Sequence, residues 1–447
     1  MMKPIYRSLG AIAVTLGMVG VACGQAVPAA TVSGPRYNPG PALPAIDGNF
    51  QYSLSAADSV QLGYGGNGGT SDYATLSGTV EYLSPSEVRP FSILYGGGFL
   101  YSTYPGQGAG TFQSLTVTQG FVGHRWAVGA SDSVSYLPQS PTTGLLGVAG
   151  VGSIGLQPAP NPSAPSQSVL TNYARQVMNV TSGNIERQLS GRTSISGTGS
   201  YGILRFIDNN GLDGTQIGGQ VGLNRQLDRR SSASLTAVYT SFTFGGNASS
   251  FNARGINVGY TRQLSKAVNM SLSAGPQLIS GFQEVPLANN FAIVSQPRLT
   301  TTISTIPIPA STNFAANASL SYVHKYTTAS IGYVRGVTGG AGLQIGANMD
   351  TVSLGLQRTY GRNWSTGLTA GYMRTTALGI PGTTTGFIGG VQASRRISNS
   401  FSAFASYTAL DQSVSSALAT QNAFNGVSHI FSFGITYAPR MVRLGQF

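Results

Sequence analysis

The chain is poor in charge, in cysteine and in long apolar runs. Asp, Glu, Lys and Arg make up only 9% of its 447 residues, against roughly 25% in an ordinary soluble domain. A water-exposed surface that thin in charge is unusual for several soluble domains packed into this length. A single cysteine, Cys23, excludes an internal disulfide framework. Beyond the N-terminus no apolar run approaches the roughly 20 residues that a membrane-spanning helix requires. Yet the chain is not greasy: mean hydropathy is +0.06, and 61 glycines stand among many Ser, Thr and Asn. Little charge with middling hydropathy suits a wall that has one face in lipid and the other in water.

At the N-terminus, Lys3 and Arg7 precede an apolar run from Leu9 to Ala22 and then small residues. This is the pattern of a secretory signal peptide, residues 1–23, with cleavage after Ala22 or Ala26. Cys23 raises a lipoprotein reading, although Gly20 stands where such sites usually carry Leu. Residues 24–48, rich in Pro and Gly, read as a periplasmic leader to a barrel spanning 49–447. The formal net charge of +12 does not point to nucleic acid, because the basic residues recur at intervals instead of forming one patch.

That recurrence is regular. "HRWAV" at His124, "RQLSG" at Arg187, "RQLDR" at Arg225, "RQLSK" at Arg262, "HKYTT" at His324, "RTYGR" at Arg358 and "RRISN" at Arg395 share one pattern. Four of the intervals lie near about 36 residues, and two are longer by about 26. Flanking segments alternate apolar and polar with the strand period. Ile256, Val258 and Tyr260 oppose Gly255, Asn257 and Gly259, for example, while Phe431, Phe433, Ile435 and Tyr437 oppose Ser432, Gly434 and Thr436. Two tilted transmembrane strands of roughly 9 to 11 residues, a tight turn and a short loop fill about 36 residues. One period is one hairpin, and each motif is its turn.

The longer intervals hold irregular inserts at Pro138 to Ser168 and Gln283 to Ser311, both on the side away from the motifs. Short turns on one side and variable loops on the other are the habit of transmembrane barrels. With "YLSPSEVRPF" as an eighth turn and a first strand near Phe50, the count is eighteen antiparallel strands. Sixteen is the alternative if a segment such as Met349 to Leu356 does not span.

Signal peptide, amphipathic strands and terminal Phe447 resemble a Gram-negative outer-membrane β-barrel of the porin-like kind, over about Phe50 to the end. The resemblance implies a C-terminal signal read by the barrel-insertion machinery, carried by Phe431, Phe433, Ile435, Tyr437 and Phe447. "APRMVRLGQF" departs from the pattern, because Pro439 interrupts pairing and leaves either Phe447 or Tyr437 as the terminal aromatic.

Catalytic chemistry finds little to work with. Of three histidines, His124 and His324 fall in turns and His429 starts the last strand; no triad is evident, and no metal set or cofactor is expected. The lumen-facing set is mostly Ser, Thr, Asn and Gly, with Glu81 a candidate lumen charge. Asp132 shares parity with Val128, Ala130, Val134 and Tyr136, and a lipid-facing carboxylate is costly, so a bulge or register shift that turns it inward is expected. Arg205, Arg254, Arg335 and Arg374 lie on the apolar parity at the far ends of their strands. They read as interface anchors or as contacts to lipopolysaccharide phosphates.

These features predict an outer-membrane channel for passive diffusion of small polar solutes, weakly selective, with outer-membrane lipids and lipopolysaccharide as surroundings. An export conduit for polysaccharide or protein, or a closed structural or adhesive barrel, is the alternative. Whether the two inserts plug the lumen is open at this stage, as is the oligomeric state.

Overall fold

The computed structural model describes residues 50–442, apart from 65–68, 85, 87, 104–107, 140–173, 208–211, 246–248, 288–301, 340–345, 379–381, 416–423 and 441. The signal peptide, Cys23, the leader, Phe447 and most of the first insert lie outside the described residues.

Eighteen strands alternate along the chain. The first six are β1 (Phe50–Tyr64), β2 (Gly69–Leu83), β3 (Phe91–Ser102), β4 (Ala109–Val122), β5 (Trp126–Gln139) and β6 (Ala174–Ser190). The middle six are β7 (Thr193–Phe206), β8 (Gly214–Gln226), β9 (Ser231–Phe244), β10 (Ser249–Gln263), β11 (Val268–Leu287) and β12 (Thr302–His324). The last six are β13 (Thr327–Thr338), β14 (Ala347–Tyr360), β15 (Trp364–Ala377), β16 (Thr383–Arg396), β17 (Phe401–Val414) and β18 (Gly426–Tyr437). The predicted motifs fall at the short turns, "YLSPSEVRPF" between β2 and β3 included, and Met349 to Leu356 lies within the full-length β14.

Every strand pairs antiparallel with its sequence neighbours. β1 then pairs with β18, from Leu54↔Tyr437 to Leu62↔His429, and the sheet closes. Closure matters because an open edge would leave a row of N–H and C=O groups without partners, which hydrocarbon does not tolerate. Beyond Pro439 the chain turns back, and Val442 and Phe50 exchange backbone hydrogen bonds of 2.8 and 3.0 Å. The interruption at Pro439 thus seals the seam at the short-turn end.

The second insert differs from expectation. Gln283–Leu287 of β11 pairs with Thr302–Ile306 of β12, past a register shift between Ile279 and Gly281. β13 joins β12 only from Ala316 to His324, so this hairpin rises above its neighbours as regular sheet. The β-branched run "TISTI" supplies the residue type that favours a pleated surface, which a reading by Pro content alone overlooks.

The two faces follow the period-2 alternation. Leu54, Leu76, Leu235, Ile256, Val258 and Leu354 point outward and are exposed. Their neighbours Ser53, Ser55, Thr75, Ser77 and Thr236 point inward and are buried. Phe431, Phe433 and Ile435 of β18 belong to the outward band.

Candidate functional site: the barrel lumen

The inward face carries hydroxyls and amides that pair across strands from the short-turn end to the loop end. Ser53 Oγ meets Thr79 Oγ1 at 2.7 Å, Ser59 donates to Ser432 at 2.8 Å, and Gln61 Nε2 donates to Ser428 at 2.8 Å. Further round, Ser131 meets Ser182 at 2.8 Å and Ser365 meets Ser394 at 2.6 Å. Other acceptors have no protein partner, among them Oε1 of Gln220 and Gln277 and Oδ1 of Asn257 and Asn269. Buried polar atoms of this kind are ordinarily satisfied by protein or water.

Charge is almost absent from this face. Among the described strand side chains, only Glu81, Glu186 and Arg396 share the inward parity. All three stand near the short-turn ends of their strands. Glu81, two residues from the end of β2, is a rim charge and not a ring at mid-lumen. Arg396 leans back to the turn, where its Nε donates to the carbonyl of Ser398 at 3.0 Å and its Nη2 to Asn399 Oδ1 at 3.0 Å.

Towards the loop end the inward face mixes buried apolar side chains, which the sequence reading missed, with buried polar ones such as Gln176, Gln216, Ser249, Thr375 and Ser428. Tyr73, Leu100 and Phe112 form a buried cluster across β2, β3 and β4. Leu204 and Phe206 of β7 pack with Met178 of β6. Phe242, Phe244, Phe251 and Ile279 form a third cluster on β9, β10 and β11, against which Leu212, Val337 and Leu378 pack. Met349 and Met373 continue the series on β14 and β15, and Leu410 and Val414 on β17. Together these clusters make an interrupted collar inside the mouth, with Gln216 in register with Phe242 and Gln176 with Phe206. Its signal was present as a break in alternation: "ILRF", "FTF" and "SSFNAR" place apolar residues on the parity that elsewhere carries Ser and Thr.

Outside the same level the polarity is reversed. Arg205 stands between Leu204 and Phe206 and faces outward, with Nη1 3.2 Å from Asp213 Oδ2. Arg335 Nη1 is 3.5 Å from Asp350 Oδ1, which also accepts a 2.8 Å hydrogen bond from the Tyr333 hydroxyl. Asp350 is in register with Arg335 on one side and Arg374 on the other. Arg254 lies in register with Tyr239 and Leu278. All four arginines therefore share the outer loop-end rim, and two of them already face a carboxylate.

Asp132 corrects an expectation. β5 keeps an unbroken register with β4 and β6, so no bulge or shift turns its carboxylate inward. It points outward, midway between Trp126 and Tyr136 on the same face. The Thr181 hydroxyl donates to it, and Asn179 Nδ2 donates at 3.1 Å. Two donors on the neighbouring strand stand in for water and lower the cost that motivated the expectation.

The three histidines are not brought together. His124 and His324 sit at the short-turn end, while His429 faces outward on β18 with Nδ1 2.9 Å from the Tyr407 hydroxyl. No group of three His, Cys, Asp or Glu gathers among the described residues.

No protein-family model matches the chain, and no curated protein matches it either. Among solved structures, the ferric-catecholate import receptor Fiu of E. coli K12, open form, is 9% identical with a TM-score of 0.43, over 88% of this chain and 82% of that one. OccK2 (OpdF) of Pseudomonas aeruginosa is 9% identical with a TM-score of 0.41, over 87% and 97% of the two chains. The outer membrane protein opdK of the same organism is 8% identical with a TM-score of 0.41, over 88% and 98%. Likeness at this distance carries no functional information about the chain.

Proposed function

We propose that the protein is an outer-membrane channel that conducts solutes passively through a water-filled, nearly uncharged lumen. The carrying observation is the inward wall of hydroxyls and amides, on which charge among the described strand side chains is confined to Glu81, Glu186 and Arg396 near the short-turn rim. Barrels of 16 to 18 strands leave room for an aqueous channel. The apolar outward band supports a bilayer setting, and the contrast of short turns with longer loops supports turns on the periplasmic side and loops outside. Selectivity between small ions is set by charged rings in pores, and no such ring stands at mid-lumen among the described residues. The reading is tested by planar-bilayer recording of the purified protein. Discrete steps that discriminate little between potassium and chloride are expected, and strong preference for either ion contradicts it. A closed structural barrel, favoured by the complete burial of Phe251 and Ile279, requires silence from wild type and collar variants alike.

At the outer rim, the arginines suit phosphate groups of lipopolysaccharide, which a guanidinium binds in bidentate fashion. Arg205 and Arg335 are engaged by Asp213 and Asp350, so Arg254 and Arg374 carry most of this contact. Arg254→Gln with Arg374→Gln is expected to lower the lipopolysaccharide phosphate that copurifies with the barrel and to sensitise cells to detergent. Unchanged phosphate content contradicts the assignment.

A further inference from the structure

We propose that the upper ends of β13 and β14 form a hinged flap that closes the mouth of this channel. The inference rests on the channel reading above and names its regulation.

The sheet splits between β12 and β13 above the pair Ala316↔Arg335. On one side β12 continues up to Thr302 in company with β11. On the other, Gly336, Val337 and Thr338 pair with Met349, Asn348 and Ala347 of β14. Among the described residues no ladder joins them to Asn313, Phe314 and Ala315 of β12. A side-chain hydrogen bond of 2.6 Å from Asn313 Nδ2 to Asn348 Oδ1 bridges the gap instead.

Above the split the flap has left the wall. Val337 shares the outward parity of Tyr333 and Arg335, yet with Leu378 it packs on the inward cluster of Phe242, Phe244, Phe251 and Ile279. β11 and β12 lie between β10 and β13 in the sheet, so the contact is made across the concave side of the wall. A Cβ added at Gly339 would stand 3.2 Å from the Phe242 ring, and one added at Gly346, where φ is +74°, would stand 2.5 Å from the Phe251 ring. Backbone of the β13–β14 connection therefore rests directly on the rings, and this cover accounts for the complete burial of Phe251. The Leu378 N–H donates to the Gly346 carbonyl at 3.2 Å and ties the end of β15 to the flap.

Two arrangements compete for the same residues. Seated, the flap buries apolar surface against the rings and leaves the upper edge of β12 without a strand beside it. Lifted, it gives up that burial and extends the antiparallel ladder in its existing register, with Ala315 opposite Gly336, Phe314 opposite Val337 and Asn313 opposite Thr338. Gly336 stands at the split, where an added Cβ would meet nothing within 4 Å, and glycine backbone bends there at little steric cost. An element with two alternative packings is what a gate requires.

Two cysteine pairs test the gate in planar bilayers holding the full chain, in a Cys23→Ser background that removes the single natural cysteine. Phe242→Cys with Gly339→Cys locks the seated flap, and Phe314→Cys with Val337→Cys locks the lifted one. A disulfide joins only closely spaced Cβ atoms, so each bridge, verified by mass spectrometry, reports one position of the flap. Oxidation is expected to cut mean conductance several-fold in the first pair and to raise it several-fold in the second, and dithiothreitol should reverse both. Leu378→Ala, which weakens the seat without altering a strand, should raise the open fraction several-fold and serves if a cysteine variant does not fold. A folded pair that fails to bridge, bridges that leave conductance unchanged, or an open fraction unmoved by Leu378→Ala overturns the proposal, while wild-type conductance leaves the channel standing. If neither wild type nor any variant conducts, the channel reading falls and the proposal falls with it.

Discussion

Arg187 and Arg395 give the repeated turn motif its physical meaning. The Arg187 guanidinium lies 4.8 Å from the Trp126 ring centroid and that of Arg395 5.4 Å from Trp364. Arg358 sits likewise 5.0 Å over Tyr360. Trp126 and Trp364 are the chain's two tryptophans, and each is the register partner of its arginine. Arg on an aromatic at the short-turn end gives the hairpin an amphipathic anchor at the bilayer interface. The motif was legible as spacing, but the stacking on tryptophan was not, since it joins residues on different strands. Glycine separates the two faces at the same scale. A Cβ at Gly98 meets both the Leu76 carbonyl oxygen and the Phe112 ring, whereas one at outward-facing Gly199 meets nothing within 4 Å. Gly98→Val is therefore expected to cost about 1–3 kcal/mol by overpacking, and Gly199→Ala to stay within about 0.5 kcal/mol. Urea unfolding in lipid vesicles measures both, and equal effects would contradict the assignment of the faces.

Strands and turns were the most legible level, because an amphipathic strand writes its period directly into the sequence. The motif at Arg225 located the β8–β9 turn, and the structure adds what holds it. The Ser231 hydroxyl, and after it the Arg230 amide, keep the Asp228 carboxyl below the usual carboxylate range. Asp228 accepts from Ser231 Oγ at 2.6 Å and from the Arg230 N–H at 2.6 Å. A depressed folded-state pKa means that this support is fully present above the ordinary Asp value and is lost as pH falls through the lowered one. Amide protection at Arg230 and Ser231 should decline over that acid range in wild type and be low and insensitive to pH in Asp228→Ala. Protection in the variant that matches wild type would rule the cap out. Asp132 was misread because parity shows which face a residue occupies but not which donors wait on the next strand. Asp132→Leu is expected to raise stability by about 1 kcal/mol, less than a cation would cost at that depth. A loss of stability would mean that the carboxylate serves a contact beyond Thr181 and Asn179.

For the whole molecule, the strand count and closure followed from the turn interval, while the lumen was only half legible. Its hydroxyl lining shows wherever Ser and Thr alternate with Leu and Val. The collar hides because Leu204, Phe206, Phe242 and Phe244 sit on the inward parity just where the outward parity becomes charged. In sequence that stretch reads as lost alternation, and only closure of the sheet shows apolar clusters recurring round the mouth between buried Gln, Ser and Thr side chains. The outer rim and the collar are two sides of one feature: at the loop ends the outer face carries charge and the inner face packs as a core. Reversal potential across a planar bilayer under a tenfold potassium chloride gradient tests the central claim of a wet, nearly uncharged lumen most directly. A value close to zero is predicted, with steps that grow in Phe251→Ser. A potential near that of a perfectly selective potassium or chloride pore, or no conductance from wild type and Phe251→Ser alike, would contradict it.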